Sequence, residues 1–150
     1  MTTDPDCIFC RIVAGEIPSF KLLEDDRVLA FMDINPANEG HCLVIPKAHA
    51  PDLFGADDDS LAAVATACRR VADAVRRTLD PPGISLTQAN GPAAGQSVLH
   101  LHFHVIPRRE DDNLLFNWEP KPGDMDAIGK LAERIRAHLE QHPSGFVAVR

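Results

Sequence analysis

The chain has 150 residues, of which 45% are hydrophobic and 25% are charged, a composition typical of a soluble protein with a single core. Its formal net charge of −7 argues against binding to nucleic acid or to a membrane surface, because both interactions need a basic face. Its apolar runs are shorter than the roughly 20 residues of a membrane-spanning helix, and its acidic, polar start is unlike a signal peptide. We therefore expect a cytoplasmic protein that folds as one domain over residues 1–150.

The predicted elements follow one another in an α+β order. Residues 21–24 and 28–32 are short apolar runs on either side of an Asp-Asp-Arg turn, which indicates a hairpin. Residues 41–46 are the next predicted strand and end at a proline. Apolar residues then recur at helical spacing over 57–79, with three aspartates at the positive end of this helix and a Pro-Pro-Gly run after it.

The second half of the chain adds two predicted strands and a helix. Residues 84–89 and 99–107 bring the total to about five strands. Residues 108–121 are irregular, and their large apolar side chains are Phe116 and Trp118. A final amphipathic helix begins after a Pro-Gly-Asp run and carries on one face Met125, Ile128, Leu131, Ile135 and Leu139.

Three histidines alternate with apolar residues inside the predicted strand 99–107: His100, His102 and His104. Successive side chains of a strand point to opposite faces, so the three imidazoles share one face and the apolar residues between them face the core. A row of imidazoles is costly unless an anion or a metal lies in front of it. The loop that precedes the strand, 90–97, is built of small and polar residues, and such loops often carry catalytic groups.

This histidine face suits chemistry at phosphorus. A phosphoanhydride or phosphoramidate requires a nucleophile, neutralisation of charge on the non-bridging oxygens and a proton for the leaving group. A neutral imidazole can attack phosphorus and then pass the phosphoryl group to water. His102 is the strongest candidate nucleophile, because a histidine flanks it on each side along the strand.

The chain resembles the histidine triad (HIT) superfamily of nucleotide hydrolases and transferases. The similarity extends over about residues 6–107, in the family's order and spacing, through segments 7–12, 15–18, 31–36, 40–47 and 96–106. The first segment resembles the bacterial Hint-like group with a zinc-binding CxxC, whereas residues 105–108 are closer to the dinucleoside-polyphosphate hydrolases. The resemblance implies a five-stranded antiparallel sheet, a long central helix and a C-terminal helix, with an extension over about 108–142. It also implies a homodimer whose two sheets join into one of ten strands.

The resemblance assigns catalytic roles to several of these residues. It makes His102 the nucleophile that forms a nucleotidyl-histidine intermediate. It has His104 and His41 bond the oxygens of the α-phosphate. Ser97 and Gln96 correspond to loop residues near the scissile bond and the leaving group.

The same resemblance implies a nucleoside-binding region. Asp33 would accept hydrogen bonds from the ribose hydroxyls, and Asn90 would add a further polar contact to the ligand. The base, a purine, would pack among apolar side chains: Ile8, Phe9, Ile12, Phe31 and Ile34. Taken singly, an apolar residue of this kind is more often ordinary core than part of a base pocket.

Cys7 and Cys10 form a CxxC pair, which alone is consistent with a redox pair as well as with half of a tetrahedral zinc site. The resemblance supplies the other two ligands, because some bacterial members use the positions of His49 and His100. It thus implies one structural Zn²⁺ that is closed by four protein ligands. The remaining two cysteines are predicted to be buried thiols: Cys42 and Cys68.

These observations predict an enzyme that acts on the α-phosphate of nucleoside 5′-phosphate derivatives, such as phosphoramidates or dinucleoside polyphosphates, as a hydrolase or nucleotidyl transferase. An alternative is a nucleotide-binding regulatory module with incidental catalysis, although binding alone needs no central nucleophile. A metal-binding protein that uses all the histidines is a third alternative, but it leaves Asp33, Asn90 and Ser97 unexplained. We also expect the C-terminal segment to reach the partner's active site through Trp118.

Overall fold

The computed structural model describes residues 1–115, 117 and 119–141. These residues belong to two compact units, which divide between Leu114 and Leu115. Phe116 and Trp118 lie outside the described residues, so the expectations for them stay predictions.

The first unit contains all the strands and two of the helices of the described chain. In chain order these elements are α1 (Ile8–Val13), β1 (Lys21–Glu24), β2 (Val28–Met32), β3 (Cys42–Pro46), α2 (Asp58–Leu79), β4 (Gly83–Thr87) and β5 (Phe103–Arg108). Two short 3₁₀ segments lie at Leu53–Gly55 and Pro92–Ala94. The second unit contains α3 (Met125–Gln141).

The five strands form one antiparallel sheet with the order β1-β2-β3-β5-β4. The predicted α+β fold class is therefore confirmed. Side chains of β2 alternate between the two faces of this sheet, as strand geometry requires. Val28 and Ala30 pack with α2 on one face, whereas Leu29 and Phe31 pack with α1 on the other.

The long helix α2 matches the predicted helix closely. Asp57 caps its N-terminus by accepting a hydrogen bond from the main-chain nitrogen of Ser60, and two further aspartates in the first turn favour the positive end of the helix dipole. It ends at Leu79, and the next residue, Asp80, adopts a left-handed conformation before two prolines. Its buried stripe consists of Val64, Ala67, Cys68, Val71 and Val75. Cys42 and Cys68 are both buried, as predicted.

Two features differ from the prediction: one helix was not predicted, and one strand begins later than expected. Helix α1 was not predicted, because six residues are too few for helical spacing to be recognised. Strand β5 begins at Phe103 instead of 99, so that His100 and His102 precede it. The physical reason is that the main chain there bonds outside the sheet: the nitrogen of Leu101 donates to the oxygen of Ala50 at 2.7 Å.

Helix α3 has the predicted amphipathic pattern. Asp124 precedes it and accepts hydrogen bonds from the main-chain nitrogens of Asp126 and Ala127, which is typical of a helix start. More than half of the surface is exposed in each predicted apolar residue: Met125, Ile128, Leu131, Ile135 and Leu139. No helix in the described part of the chain is both long and apolar enough to cross a membrane.

Candidate active site

A cavity of about 420 Å³ lies on the α1 side of the sheet, at the ends of β2 and β3 and beside β5. It brings together ten residues that the sequence predicts for catalysis or nucleotide binding. They are Ile8, Phe9, Ile12, Phe31, Asp33, Ile34, His41, Ser97, His102 and His104. Residues far apart in the chain therefore meet in one cavity whose walls are part apolar and part histidine.

The main-chain oxygen of His100 determines which nitrogen of His102 carries the proton. Nδ1 of His102 lies 2.6 Å from that oxygen, and a carbonyl oxygen can only accept a hydrogen bond. Nδ1 therefore holds the proton in the neutral ring, and Nε2 keeps an unshared electron pair. His102 is only 4% exposed and lines the cavity. This arrangement suits a nucleophile.

His41 and His104 form a second fixed pair. Nδ1 of His41 accepts a hydrogen bond from the main-chain nitrogen of Ala37 at 3.0 Å, so the proton of the neutral ring lies on Nε2. That nitrogen is 2.8 Å from Nδ1 of His104 and 3.5 Å from a carboxylate oxygen of Asp33. His104 accepts from His41 and carries its own proton on Nε2, available to an anion.

Burial keeps both rings of this pair neutral. It lowers the pKa of His104 to about 4, and repulsion from His102 and His41 adds to this effect. Burial also lowers the pKa of His41, which the negative charge of Asp33 partly opposes. Two neutral imidazoles therefore lie beside the candidate nucleophile, and the N–H on Nε2 of His104 can donate a hydrogen bond to a phosphate oxygen. The expected bond from His41 to phosphate is not supported, because the N–H of His41 already donates to His104.

The backbone before β3 places His41. Gly40 has a φ of 85°, a conformation that favours glycine, and a side chain there would collide with Leu79 of α2. His41 directly precedes β3, which lies beside β5 with Leu43 opposite His104. This position brings the ring of His41 to that of His104.

The apolar part of the cavity is formed mainly by α1 and the end of β2. The rings of Phe9 and Phe31 meet edge to face with centroids 5.6 Å apart. Ile8 is 47% exposed and Ile34 is 76% exposed, so each leaves apolar surface that a planar ligand can cover. Asp33 lies between this apolar part and the histidines, since one of its oxygens accepts from the main-chain nitrogen of Asn35 and the other faces His41.

The predicted metal ligands Cys7, Cys10, His49 and His100 form one cluster, and their ligand atoms lie within 4.8 Å of one another. Sγ of Cys7 is 3.4 Å from Nδ1 of His100, and Sγ of Cys10 is 3.4 Å from Nδ1 of His49. Tetrahedral zinc bound at about 2.3 Å by sulfur and about 2.0 Å by nitrogen separates such atoms by roughly 3.5 Å. The residues therefore fit a tetrahedral metal ion.

The outer contacts of this cluster also suit a metal site. Nε2 of His100 donates to the main-chain oxygen of Pro46 at 2.8 Å, which leaves the electron pair on Nδ1 for a metal. Nε2 of His49 lies 3.9 Å from a carboxylate oxygen of Asp4. Cys7, Cys10 and His100 are all buried. The four side chains form a group that can hold a metal ion.

Asn90 and Gln96 are the two predicted ligand-binding residues that do not line the cavity. Oδ1 of Asn90 accepts from the main-chain nitrogen of Leu53 at 2.9 Å. Nε2 of Gln96 donates to the main-chain oxygen of Pro51 at 2.6 Å, and its Oε1 accepts from the nitrogen of Gly91. Both side chains hold together the loop that leads to Ser97, and their contacts to a ligand stay predictions.

The cavity has seven further lining residues that the sequence analysis did not single out: Ile17, Pro18, Ser19, Met32, Asn35, Leu43 and Val98. Six of the seven lie inside segments on which the family resemblance rests, with Ile17 and Pro18 in the segment 15–18, so a signal for them was present. Ser19 directly follows that segment, and its hydroxyl is buried without a hydrogen-bond partner among the described residues. An unpaired buried hydroxyl beside a ligand cavity is detectable only from the structure.

The chain is similar to known proteins in sequence and in fold. The family model of the HIT domain matches residues 14–111. An adenosine 5′-monophosphoramidase of Saccharomyces cerevisiae, HNT1, is 42% identical over 140 residues, which cover 93% of this chain and 86% of the relative. The crystal structure of a HIT-family protein from Bacillus subtilis matches with a TM-score of 0.84 at 36% identity, over 89% of this chain and 97% of that one.

A second solved structure bears on the metal cluster. It is a zinc-bound histidine triad family protein from Mycobacterium smegmatis, which matches with a TM-score of 0.69 at 38% identity, over 91% of this chain and 96% of that one. Both structures and the yeast relative are similar to the chain over most of its length. The chain belongs to the HIT family.

Proposed function

We propose that this protein is a nucleotide hydrolase of the HIT family that acts on the α-phosphate of nucleoside 5′-phosphate derivatives. The observation that carries the proposal is the unshared electron pair on Nε2 of His102, in a cavity that it shares with His104, His41 and Ser97. The name of the yeast relative, an adenosine 5′-monophosphoramidase, supports phosphoramidates as a substrate class. Dinucleoside polyphosphates offer the same α-phosphate and remain in the proposal.

The proposed reaction has two steps. Nε2 of His102 attacks the α-phosphorus, forms an N–P bond and displaces the leaving group, which takes a proton from the Ser97 hydroxyl while solvent water returns a proton to that hydroxyl. The product is a nucleotidyl-histidine, whose positive ring is stabilised because Nδ1 keeps its hydrogen bond to the carbonyl of His100. Water then attacks phosphorus, releases a proton to solvent and restores the neutral His102. Throughout, the Nε2 N–H of His104 donates a hydrogen bond to a phosphate oxygen, and His41 orients His104 by donating to its Nδ1.

The nucleoside occupies the rest of the cavity in this proposal. Asp33 accepts hydrogen bonds from the ribose hydroxyls, and a purine base packs against the apolar side chains: Ile8, Phe9, Ile12, Phe31 and Ile34. The position of Asp33 between the apolar residues and the histidines supports this order of base, ribose and phosphate. Few polar groups line the apolar part, so we expect loose selection among purines.

We further propose that the metal of the cysteine–histidine cluster is zinc, held by Cys7, Cys10, His49 and His100. Zinc bound by four protein ligands supplies structural stability instead of Lewis-acid chemistry, because no coordination position stays open. The chemistry of the donor set, two thiolates and two imidazoles, supports zinc over harder cations. The zinc-bound relative from Mycobacterium smegmatis adds to this support.

For the assembly we propose a cytoplasmic homodimer of a single HIT domain with a C-terminal extension. The strands β1 and β4 lie at the two ends of the described sheet and each pairs with one neighbour. Joining two sheets into one of ten strands would cover such an edge.

A substrate panel tests the proposed function. Full-length protein is incubated with adenosine 5′-phosphoramidate, diadenosine polyphosphates and the corresponding guanosine compounds, and kcat/KM is measured for each. We expect release of nucleoside monophosphate from at least the phosphoramidates, and loss of that release in His102→Asn prepared in parallel. Binding of nucleotide without turnover of any compound would instead identify a regulatory nucleotide-binding module.

A further inference from the structure

His100 joins the metal cluster to the candidate nucleophile. Its Nδ1 lies 3.4 Å from Sγ of Cys7 and 3.4 Å from Nδ1 of His49. Its main-chain oxygen accepts the hydrogen bond from Nδ1 of His102 at 2.6 Å. His100 thus belongs to the cluster through its side chain and to the active site through its main chain.

The sheet does not hold this part of the chain. The pairing of β5 with β3 begins at Phe103, opposite Val44. The oxygen of His100 therefore lies outside the ladder of hydrogen bonds that fixes the rest of the strand. Its position must depend on other contacts.

Two such contacts involve the cluster ligand His100 or a neighbour of the cluster ligand His49. Nε2 of His100 donates to the oxygen of Pro46 at 2.8 Å. The nitrogen of Leu101 donates to the oxygen of Ala50, which directly follows the metal ligand His49 in the chain. Four metal bonds would hold the two cysteines, His49 and His100 together. They would thereby also hold the contacts to Pro46 and Ala50 in place.

We propose that metal bound at this cluster positions the nucleophile, by fixing the carbonyl of His100 that keeps the proton of His102 on Nδ1. The inference rests on the proposed function for its effect on catalysis. When the metal leaves, the His100 carbonyl is free to move, and the proton of His102 can shift to Nε2. An Nε2 that carries the proton cannot attack phosphorus. His100 is therefore a positioning residue, and metal occupancy controls the fraction of protein with a competent nucleophile.

Two substitutions at His49 test this coupling, because His49 belongs to the cluster and does not line the cavity. His49→Ala removes one ligand, whereas His49→Cys restores a Cys₃His set that still binds zinc. We expect His49→Ala to lose zinc and about tenfold in kcat, comparable to the loss of one ordinary hydrogen bond. We expect its dissociation constant for AMP to change less than about threefold. His49→Cys should recover both zinc and kcat.

A spectroscopic measurement reads the tautomer without any substrate. In protein labelled with ¹⁵N at histidine, we expect His102 to show a protonated Nδ1 and an unprotonated Nε2 when zinc is bound. Wild-type protein stripped by a chelator should show a mixture of the two tautomers, and added Zn²⁺ should restore the first. If His49→Ala does not fold, the comparison of stripped and zinc-loaded wild type still tests whether zinc sets the tautomer of His102.

Cys68→Ala is the matched control, because its buried thiol lies in α2 on the other side of the sheet. It should lower the melting temperature yet leave kcat and the His102 spectrum unchanged. An identical His102 spectrum with and without zinc, or an equal fall of kcat in Cys68→Ala, would overturn the coupling. Absence of turnover by zinc-loaded wild type would refute the proposed function, whereas the tautomer measurement would still decide the coupling.

Discussion

Nε2 of His41 donates a hydrogen bond to Nδ1 of His104 across 2.8 Å, which links the residue before β3 to the strand beside it. The bond has a fixed direction, because the main-chain nitrogen of Ala37 already occupies Nδ1 of His41. Both rings are neutral. The main chain of Ala37 donates to His41, His41 donates to His104, and the N–H on Nε2 of His104 remains to donate to a ligand. Burial lowers the pKa of both rings of this pair.

The first prediction concerns stability at acidic pH. The pKa of His104 is lowered from 6.5 to about 4, so the unfolded chain binds a proton at a higher pH than the folded protein. The stability from this neutral ring is present above about pH 6.5 and is lost as pH falls toward 4. In denaturant unfolding followed from pH 7 to pH 4, we expect His104→Asn to lose less stability than wild type. Equal losses in the two proteins would contradict this cause.

A second prediction compares two members of the triad. His102→Asn removes the nucleophile, so nucleotide should still bind while kcat falls by several orders of magnitude. His104→Asn removes one charge-stabilising contact, for which we expect a loss of about 2–4 kcal/mol in transition-state stabilisation. Steady-state kinetics with adenosine 5′-phosphoramidate shows which of the two variants loses more activity. The proposed mechanism is wrong if His102→Asn keeps a near-normal kcat while His104→Asn abolishes turnover.

Asp33 provides a test of where the ribose lies. Asp33→Asn should lower kcat/KM by about 10- to 100-fold, the range for a lost charged hydrogen bond. Wild type should lose a similar factor on a 2′,3′-dideoxy analogue, and the variant should lose little more on that analogue. Independent, additive losses would place the ribose hydroxyls elsewhere.

Ser19 gives a prediction with an unusual sign. Its buried hydroxyl has no partner among the described residues, so Ser19→Ala should leave the free energy of unfolding unchanged or raise it by up to about 1 kcal/mol. Ser85→Ala is a suitable control, because the Ser85 hydroxyl accepts a hydrogen bond from Arg108 and its loss should be destabilising. Denaturant titration of both variants decides the matter, and a clear loss of stability in Ser19→Ala would show that its hydroxyl is bonded.

The metal cluster leads to a prediction for the purified protein. Metal analysis under reducing conditions should find about one equivalent of zinc per chain, and Cys7→Ala combined with Cys10→Ala should lose it together with thermal stability. The companion variant Cys42→Ala removes a buried thiol outside the cluster and should keep the metal. Metal-free wild type of undiminished stability would rule out the zinc site.

Much of the fold was predictable because its elements are long or regularly patterned. The strands at 21–24 and 28–32 and the helix over 57–79 follow simple periodicities, and the structure confirms them. Helix α1 was not predictable in this way, because its six residues are ordered by burial of Phe9, Cys10 and Ile12 and not by local pattern. The late start of β5 likewise depends on contacts with residues about 50 positions away in the chain, such as Ala50.

The site was predictable to the extent that residue chemistry and family resemblance identify side chains, but not how these side chains bond. Alternation placed His102 and His104 together, and their ring centroids are indeed 5.0 Å apart. No spacing rule assigns His49 and His100 to the cysteines, and this prediction rested on the resemblance. The tautomer of His102 depends on a main-chain oxygen, which carries no residue-specific signal in the sequence.

The most direct test of the account is to trap the covalent intermediate. Wild-type protein is mixed with adenosine 5′-phosphoramidate, quenched within milliseconds without acid, digested and mapped by mass spectrometry. We predict an adenylyl group bound to the imidazole of His102 and to no other residue. Continued turnover without any covalent adduct, or an adduct on His41 or His104 instead, would contradict the mechanism.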